Sequence, residues 1–80
     1  MFTAIIPTTN DANACLTSGM YSVGDDWLNV PTSWGILITF HSQTYYLQLF
    51  QNVGISSMSF YLRHSNNGTI WSEWKEYSAV

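Results

Sequence analysis

Hydrophobic and polar residues alternate in three stretches of the sequence, residues 36–41, 45–50 and 57–63. Because successive side chains of a β-strand point to opposite faces of the sheet, this period of two predicts three strands. Residues 20–23 and 70–74 have the composition of two shorter strands, and residues 75–80 follow as a tail. In the third stretch the alternation predicts Met58, Phe60 and Leu62 to face the core, and Ser57, Ser59, Tyr61 and Arg63 to face solvent.

Turn-forming residues separate these stretches, at residues 24–26, 41–44, 52–54 and 66–68. The last of these turns is Asn66-Asn67-Gly68, and Asn and Gly accept the backbone angles of tight hairpins. Short strands about ten residues apart, joined by such turns, are typical of antiparallel sheets. The pattern therefore predicts a mostly β fold, a small antiparallel meander of four to five strands.

Two segments of the chain do not fit the strand pattern. Pro7 and the polar residues after it disfavour a central strand, and Asp11 or Thr9 is predicted to cap a short helical turn through residues 14–16. Residues 24–33 form a long loop that contains Trp27, and an apolar loop should fold over the sheet or contact a partner. All 80 residues are expected to form a single domain, residues 1–80.

The composition leaves much of the surface uncharged. Hydrophobic residues make up 46% of the chain and charged residues only 9%, against about 25% in a typical soluble domain. A core of this size supplies only a few kcal/mol of stability, so packing against copies of the chain or neighbouring domains would supplement it.

The charge balance restricts the partners. Two basic residues, Arg63 and Lys75, stand against five acidic ones, which is too few cations to bind nucleic acid or an anionic membrane surface. No apolar run approaches the ~20 residues of a membrane span, and residues 1–7 lack the basic segment of a signal peptide. Glycans and proteins remain as expected partners.

The sequence holds no pattern that predicts catalysis, a metal or a cofactor. His41 and His64 lack neighbours at metal-ligand spacing, and the Asp25-Asp26 pair lacks the spacing of a calcium loop. A glycosidase pair formed by Asp25 or Asp26 with Glu73 stays open as a minor hypothesis, because carboxylate separation depends on the fold. Cys15, the only cysteine, is expected to be a small buried hydrophobic residue rather than a reactive thiol.

The aromatic residues are the candidates for binding. Four tryptophans and five tyrosines exceed what a core of this size can bury, and sugars present C–H faces that stack on aromatic rings. Trp27, Tyr45 and Tyr61 lie on a loop or a predicted outward face, so they are the candidate glycan contacts. Trp34, Trp71 and Trp74 are expected to be core or subunit-contact residues.

Four segments in a fixed order resemble the pyocin knob domain family of phage and R-type pyocin tail fibres: Asp11 to Tyr21, Val30 to Phe40, Tyr45 to Leu49 and Tyr61 to Lys75. The likeness covers about residues 11–75. It departs from the family pattern in the last turn, where Asn66-Asn67 replaces the usual Asp-Gly and Ile70 stands where Thr is common. This turn is also similar to the Asp-box of sialidases, a hairpin brace that carries no catalytic residue.

The resemblance implies a non-enzymatic module of a homotrimeric fibre that acts in host attachment, located in a virion tail fibre or an extracellular tailocin particle. It assigns a structural role to Trp34, Gly35, Gly68, Trp71 and Trp74. The alternative reading is a carbohydrate-binding accessory module of a secreted glycan-degrading enzyme.

Overall fold

The computed structural model describes residues 4–54 and 59–78. The strands in this part of the chain are β1 (Ala4–Ile5), β2 (Gly19–Val23), β3 (Gly35–Ser42), β4 (Tyr45–Asn52), β5 (Ser59–Ser65) and β6 (Lys75–Ser78). They form one sheet in the order β1-β2-β3-β4-β5-β6, in which β1 runs parallel to β2 and all other neighbours are antiparallel. The mostly β fold is confirmed, and the predicted four to five antiparallel strands correspond to β2–β6.

The strand β1 was not predicted, because a two-residue run before Pro7 gives no periodic signal. The predicted helical turn is a 3-10 helix at Ala12–Ala14, two residues earlier than expected. Asp11 caps this turn, since its carboxylate accepts a hydrogen bond from the backbone N–H of Asn13 at 2.9 Å.

The predicted position of the last strand was wrong. The strand occupies Lys75–Ser78, whereas the predicted residues 70–74 are irregular apart from one bridge between Trp71 and Ser65. Tertiary contacts account for the difference, because Trp71 and Trp74 pack over the Arg63 guanidinium.

The predicted orientation of β5 was also wrong. Ser59 and Arg63 are buried, whereas Phe60 is exposed and lies on the opposite face of the sheet. Ser57 and Met58 lie outside the described residues. The irregular segments cover the face that carries the polar side chains, because those side chains satisfy the backbone groups of the covering segments.

The core lies between this covered face and the segments that pack on it. Its buried hydrophobic residues are Ala12, Cys15, Tyr21, Val23, Leu37 and Phe50, and Ile5, Trp27, Val30, Tyr61 and Trp74 pack against them. Residues 24–34 connect β2 to β3 and place Trp27 and Val30 in this layer. The fold is thus a single sheet covered on one side by irregular chain.

Replacing Gly35 by alanine is expected to lower the free energy of unfolding by about 3 kcal/mol, because an added methyl group overpacks the start of β3. A Cβ at this position would overlap the backbone oxygen of Gln51 and lie 2.5 Å from Cζ of Phe50. Chemical denaturation measures the loss. Gly24→Ala is the matched control, since its Cβ would meet other atoms only at 3.8 Å or more; equal losses in the two variants would contradict the prediction.

Candidate functional site

A network of buried polar side chains fixes the covering segment to the sheet. Gln48 is fully buried, and its Nε2 donates hydrogen bonds to the backbone oxygens of Ala12 at 2.9 Å and Cys15 at 3.2 Å. Thr39 Oγ1 donates to the same Cys15 oxygen at 2.8 Å. The Ala12 oxygen also accepts from the Cys15 N–H at 3.2 Å, and the bonds from the sheet add partners to these backbone oxygens at a buried contact.

Arg63 extends this network across β5. Its Nε donates to Gln48 Oε1 at 2.8 Å, and its Nη2 donates to Asn13 Oδ1 at 2.8 Å. The Arg63 Cζ lies 4.1 Å from the centroid of Trp71 and 4.7 Å from that of Trp74, so two rings enclose the guanidinium. Burial lowers the pKa of Arg63 to about 10, partly opposed by the Asp11 carboxylate, and the side chain stays protonated at neutral pH.

The turn after β5 is braced by Asn67, which stands near the place of the Asp in the similar Asp-box motif. Its Oδ1 accepts hydrogen bonds from the backbone N–H of Thr69 at 2.9 Å and Ile70 at 3.0 Å. Gly68 has a φ of 79°, and a Cβ at this position would stand 2.8 Å from Cε1 of Tyr46, so the turn requires glycine. The turn therefore keeps an internal brace without an aspartate.

The five residues assigned to a structural motif lie in two places. Gly68, Trp71 and Trp74 belong to the turn and rings around Arg63, where Trp74 Nε1 also donates to the backbone oxygen of Asn29 at 3.0 Å. Trp34 and Gly35 lie at the other end of the sheet, where β3 begins. Gly35 is buried, but the Trp34 side chain is 54% exposed.

The three candidate glycan contacts do not form one site. Tyr45 is 61% exposed at the start of β4. Trp27 is half-buried and lines a groove of about 580 Å³ together with Ile5, Asn10 and Ser22. Tyr61 is half-buried in the layer over the core, next to Phe50, and its pKa is raised by burial and by the neighbouring Glu76. Each is available only for a separate contact.

The second face of the sheet carries a continuous apolar surface, which we call the open face. Its residues alternate with the buried ones and are all exposed or half-buried: Met20, Ile36, Ile38, Phe40, Leu47, Leu49, Phe60, Leu62 and Tyr77. The central row runs from Met20 through Ile38 and Leu49 to Leu62, which are direct cross-strand partners. A monomeric protein rarely exposes a contiguous patch of this kind.

The strand positions of the open face carry no acidic residue. Lys75 lies at one end of the central row, and Glu76 points to the other face of β6. Asp11, Asp25 and Asp26 lie in the segments outside the strands, as does Glu73. The negative charge of the chain is therefore kept off the open face.

Within residues 4–54 and 59–78, no group of three or more His, Cys, Asp or Glu side chains is arranged to hold a metal ion. The same part of the chain contains no helix with the length and apolar character needed to cross a membrane.

Sequence reasoning missed two features of this arrangement. The buried roles of Gln48 and Arg63 oppose the usual preference of these residues for the surface. The sequence does offer one indication of the role of Arg63: it is one of only two basic residues, and it lies in a β-rich segment shortly before Trp71 and Trp74. The open face was missed because the alternation identifies two faces but not which one is covered.

The buried thiol of Cys15 is expected to resist modification at pH 8. The residue is 1% exposed, and burial, together with the nearby Asp11 carboxylate, raises its pKa to about 11 from 9.0. Labelling by a thiol reagent should therefore be at least about a hundredfold slower in the folded protein than in denaturant.

The same shift predicts a loss of stability at high pH. Because the folded-state pKa is above the unfolded one, the contribution of Cys15 is complete below pH 9 and is lost as the pH rises through 11. The expected loss is about 2 kcal/mol, measured by denaturation as the difference between wild type and Cys15→Ala at each pH. A difference that does not change between pH 8 and 11 would contradict this expectation.

Comparison of the chain with protein-family models, curated proteins and solved structures found no match. The fold and the open face define a small, single-sheet β-domain with one covered and one uncovered face.

Proposed function

We propose that this chain is a non-catalytic knob module of a phage or tailocin tail fibre, which assembles as a homotrimer and acts in host-cell attachment. The observation that carries the proposal is the open face, because an apolar sheet surface of this extent requires a covering partner in water. The trimeric state and the location in a virion tail fibre or extracellular tailocin particle come from the resemblance in the four sequence segments.

Copies of the same chain suit the open face as its cover. Each copy carries a net charge of -3, yet its acidic residues lie off the strand positions of this face. Three such faces can therefore meet with little repulsion at the contact, and burial of the apolar side chains drives the association. The scarcity of cations supports a neutral glycan or a protein, rather than nucleic acid, as the external partner.

Sedimentation velocity over a range of protein concentrations tests the assembly. The proposal expects a species of three times the 9.1 kDa chain mass at micromolar concentration. A monomer at all concentrations up to about 100 μM would contradict it, since an interface of standard size commonly gives micromolar or tighter affinity.

The groove beside Trp27 favours a second candidate, a carbohydrate-binding accessory module of a secreted glycan-degrading enzyme. An apolar groove with the polar groups of Asn10 and Ser22 at its wall suits a sugar ring. This candidate expects a monomer that binds a glycan and loses binding on Trp27→Ala, whereas Tyr61 lies apart from the groove. A trimer whose glycan binding survives Trp27→Ala would exclude it.

A further inference from the structure

Trp34 has a backbone conformation that is costly for its residue type. Its φ is 62°, in the left-handed region, where a non-glycine residue costs about 1–2 kcal/mol. Two backbone hydrogen bonds hold it there: Trp34 N–H donates to the Gly24 oxygen at 3.2 Å, and Val53 N–H donates to the Trp34 oxygen at 2.9 Å. The residue is 54% exposed, so about half of its surface stays free for a further contact.

The lower part of the Trp34 side chain is held in place. Its Cβ lies 3.2 Å from the point where a Cβ on Gly54 would stand, so the Trp34 side chain packs closely against the Gly54 backbone. The residue is about half exposed, so a ligand can stack on the free part of the ring. Trp34 can therefore serve both as a packing contact and as a binding surface.

A carboxylate lies within about 8 Å of this ring. A Cβ on Gly24 would stand 3.8 Å from Asp26 Oδ1 and 3.9 Å from Trp34 Cζ3. These two atoms are therefore within about 8 Å of each other. The other carboxylate oxygen, Oδ2, accepts a hydrogen bond from Asn10 Nδ2 at 3.1 Å, which orients the group. Gly24 leaves the corner between ring and carboxylate free of side-chain atoms.

We propose that Trp34 and Asp26 form a binding site for an uncharged pyranose, a proposal that rests on the attachment function above and gives that function a specific contact. The electron-rich indole face attracts the polarised C–H groups of a sugar ring. The carboxylate accepts hydrogen bonds from neighbouring hydroxyls, and charge-assisted bonds of this kind are stronger than neutral ones. The adjacent Asp25 adds negative charge, which disfavours sialylated or uronic sugars.

The first test is an array of hexose and N-acetylhexosamine oligosaccharides that includes neutral and sialylated members. The array is probed with beads that display many copies of the chain, because multivalent binding raises the avidity of a weak contact. The neutral oligosaccharide with the strongest signal is then titrated. Trp34→Ala and Asp26→Asn are each expected to weaken its binding about tenfold or more. Asp25→Asn, which removes the adjacent charge, is the matched control and should change affinity less than about threefold.

Trp34→Asn separates binding from folding, because Asn tolerates the left-handed conformation. The variant should stay folded, with the same β spectrum by circular dichroism as wild type, yet lose saccharide binding. Retained binding in this variant, absence of binding to every neutral oligosaccharide, or binding to sialylated members alone would overturn the site.

The oligomeric state separates this proposal from the function on which it rests. A wild-type trimer that binds no neutral saccharide would refute the Trp34 site alone. A wild-type monomer whose binding depends on Trp34 and Asp26 would support the site and contradict the trimeric knob.

Discussion

Replacing Arg63 by alanine is expected to lower the free energy of unfolding by about 3–5 kcal/mol, which approaches the whole stability of a domain of this size. The change leaves the buried Gln48 Oε1 without its donor, which costs about 1–3 kcal/mol, and removes the hydrogen bond to Oδ1 of the exposed Asn13. It also removes the cation between Trp71 and Trp74, which contributes about 1–2 kcal/mol where the cation is desolvated. Denaturant or thermal unfolding followed by tryptophan fluorescence measures the loss.

Two variants serve as controls for the Arg63 prediction. Lys75→Ala removes the other basic residue, whose side chain is exposed, and should change stability by less than about 0.5 kcal/mol. Arg63→Met keeps most of the side-chain volume and removes the charge that burial disfavours, so it should lose less stability than alanine. A loss below about 1 kcal/mol for Arg63→Ala would show that the network does not hold the covering segment.

Replacing Ile38 by glutamate is expected to dissociate the proposed trimer while the subunit stays folded. Ile38 lies in the middle of the open face, between its cross-strand partners Met20 and Leu49. A carboxylate buried at this position in all three copies would lose its hydration and repel the other two, so we expect association to weaken at least about a hundredfold. Sedimentation velocity should find monomers at concentrations where the wild type is trimeric.

Thr44→Glu is the control for this experiment, because it adds the same charge at the exposed turn between β3 and β4. This control should remain trimeric. Circular dichroism should show the same β spectrum for Ile38→Glu as for wild type, since the residue faces away from the core. A folded Ile38→Glu variant that is as fully associated as wild type would place the subunit contact elsewhere.

The sequence allowed the strands to be predicted but not the orientation of the sheet. The alternation in residues 36–41 and 45–50 appears in the structure as β3 and β4, which pair antiparallel as the predicted hairpin. In β5 the same kind of pattern led to the wrong face, since Arg63 is buried and Phe60 is exposed. When a strand is considered by itself, hydrophobicity favours Phe60 over Arg63 as the core residue, and this preference gave the wrong orientation.

The candidate site was less predictable than the fold. Trp27, Tyr45 and Tyr61 were singled out from their residue type and the faces predicted for them, and the structure places them apart. The pairing of Trp34 with Asp26 joins residues that lie eight positions apart in an irregular segment, where no periodicity relates one side chain to another. The left-handed backbone of Trp34 has no sequence signal, since that conformation is expected of Gly or Asn.

The secondary structure class, the scarcity of charge and the surplus of aromatic rings could all be read from the sequence, because they depend on local periodicity and on composition. The tertiary structure decided which face of the sheet is covered. That outcome depends on hydrogen bonds between distant residues, such as those from Gln48 and Arg63 to the segment around Ala12. Backbone groups of the irregular segments must find polar partners when they are buried, and they find them on the polar face, which leaves the apolar face for another surface.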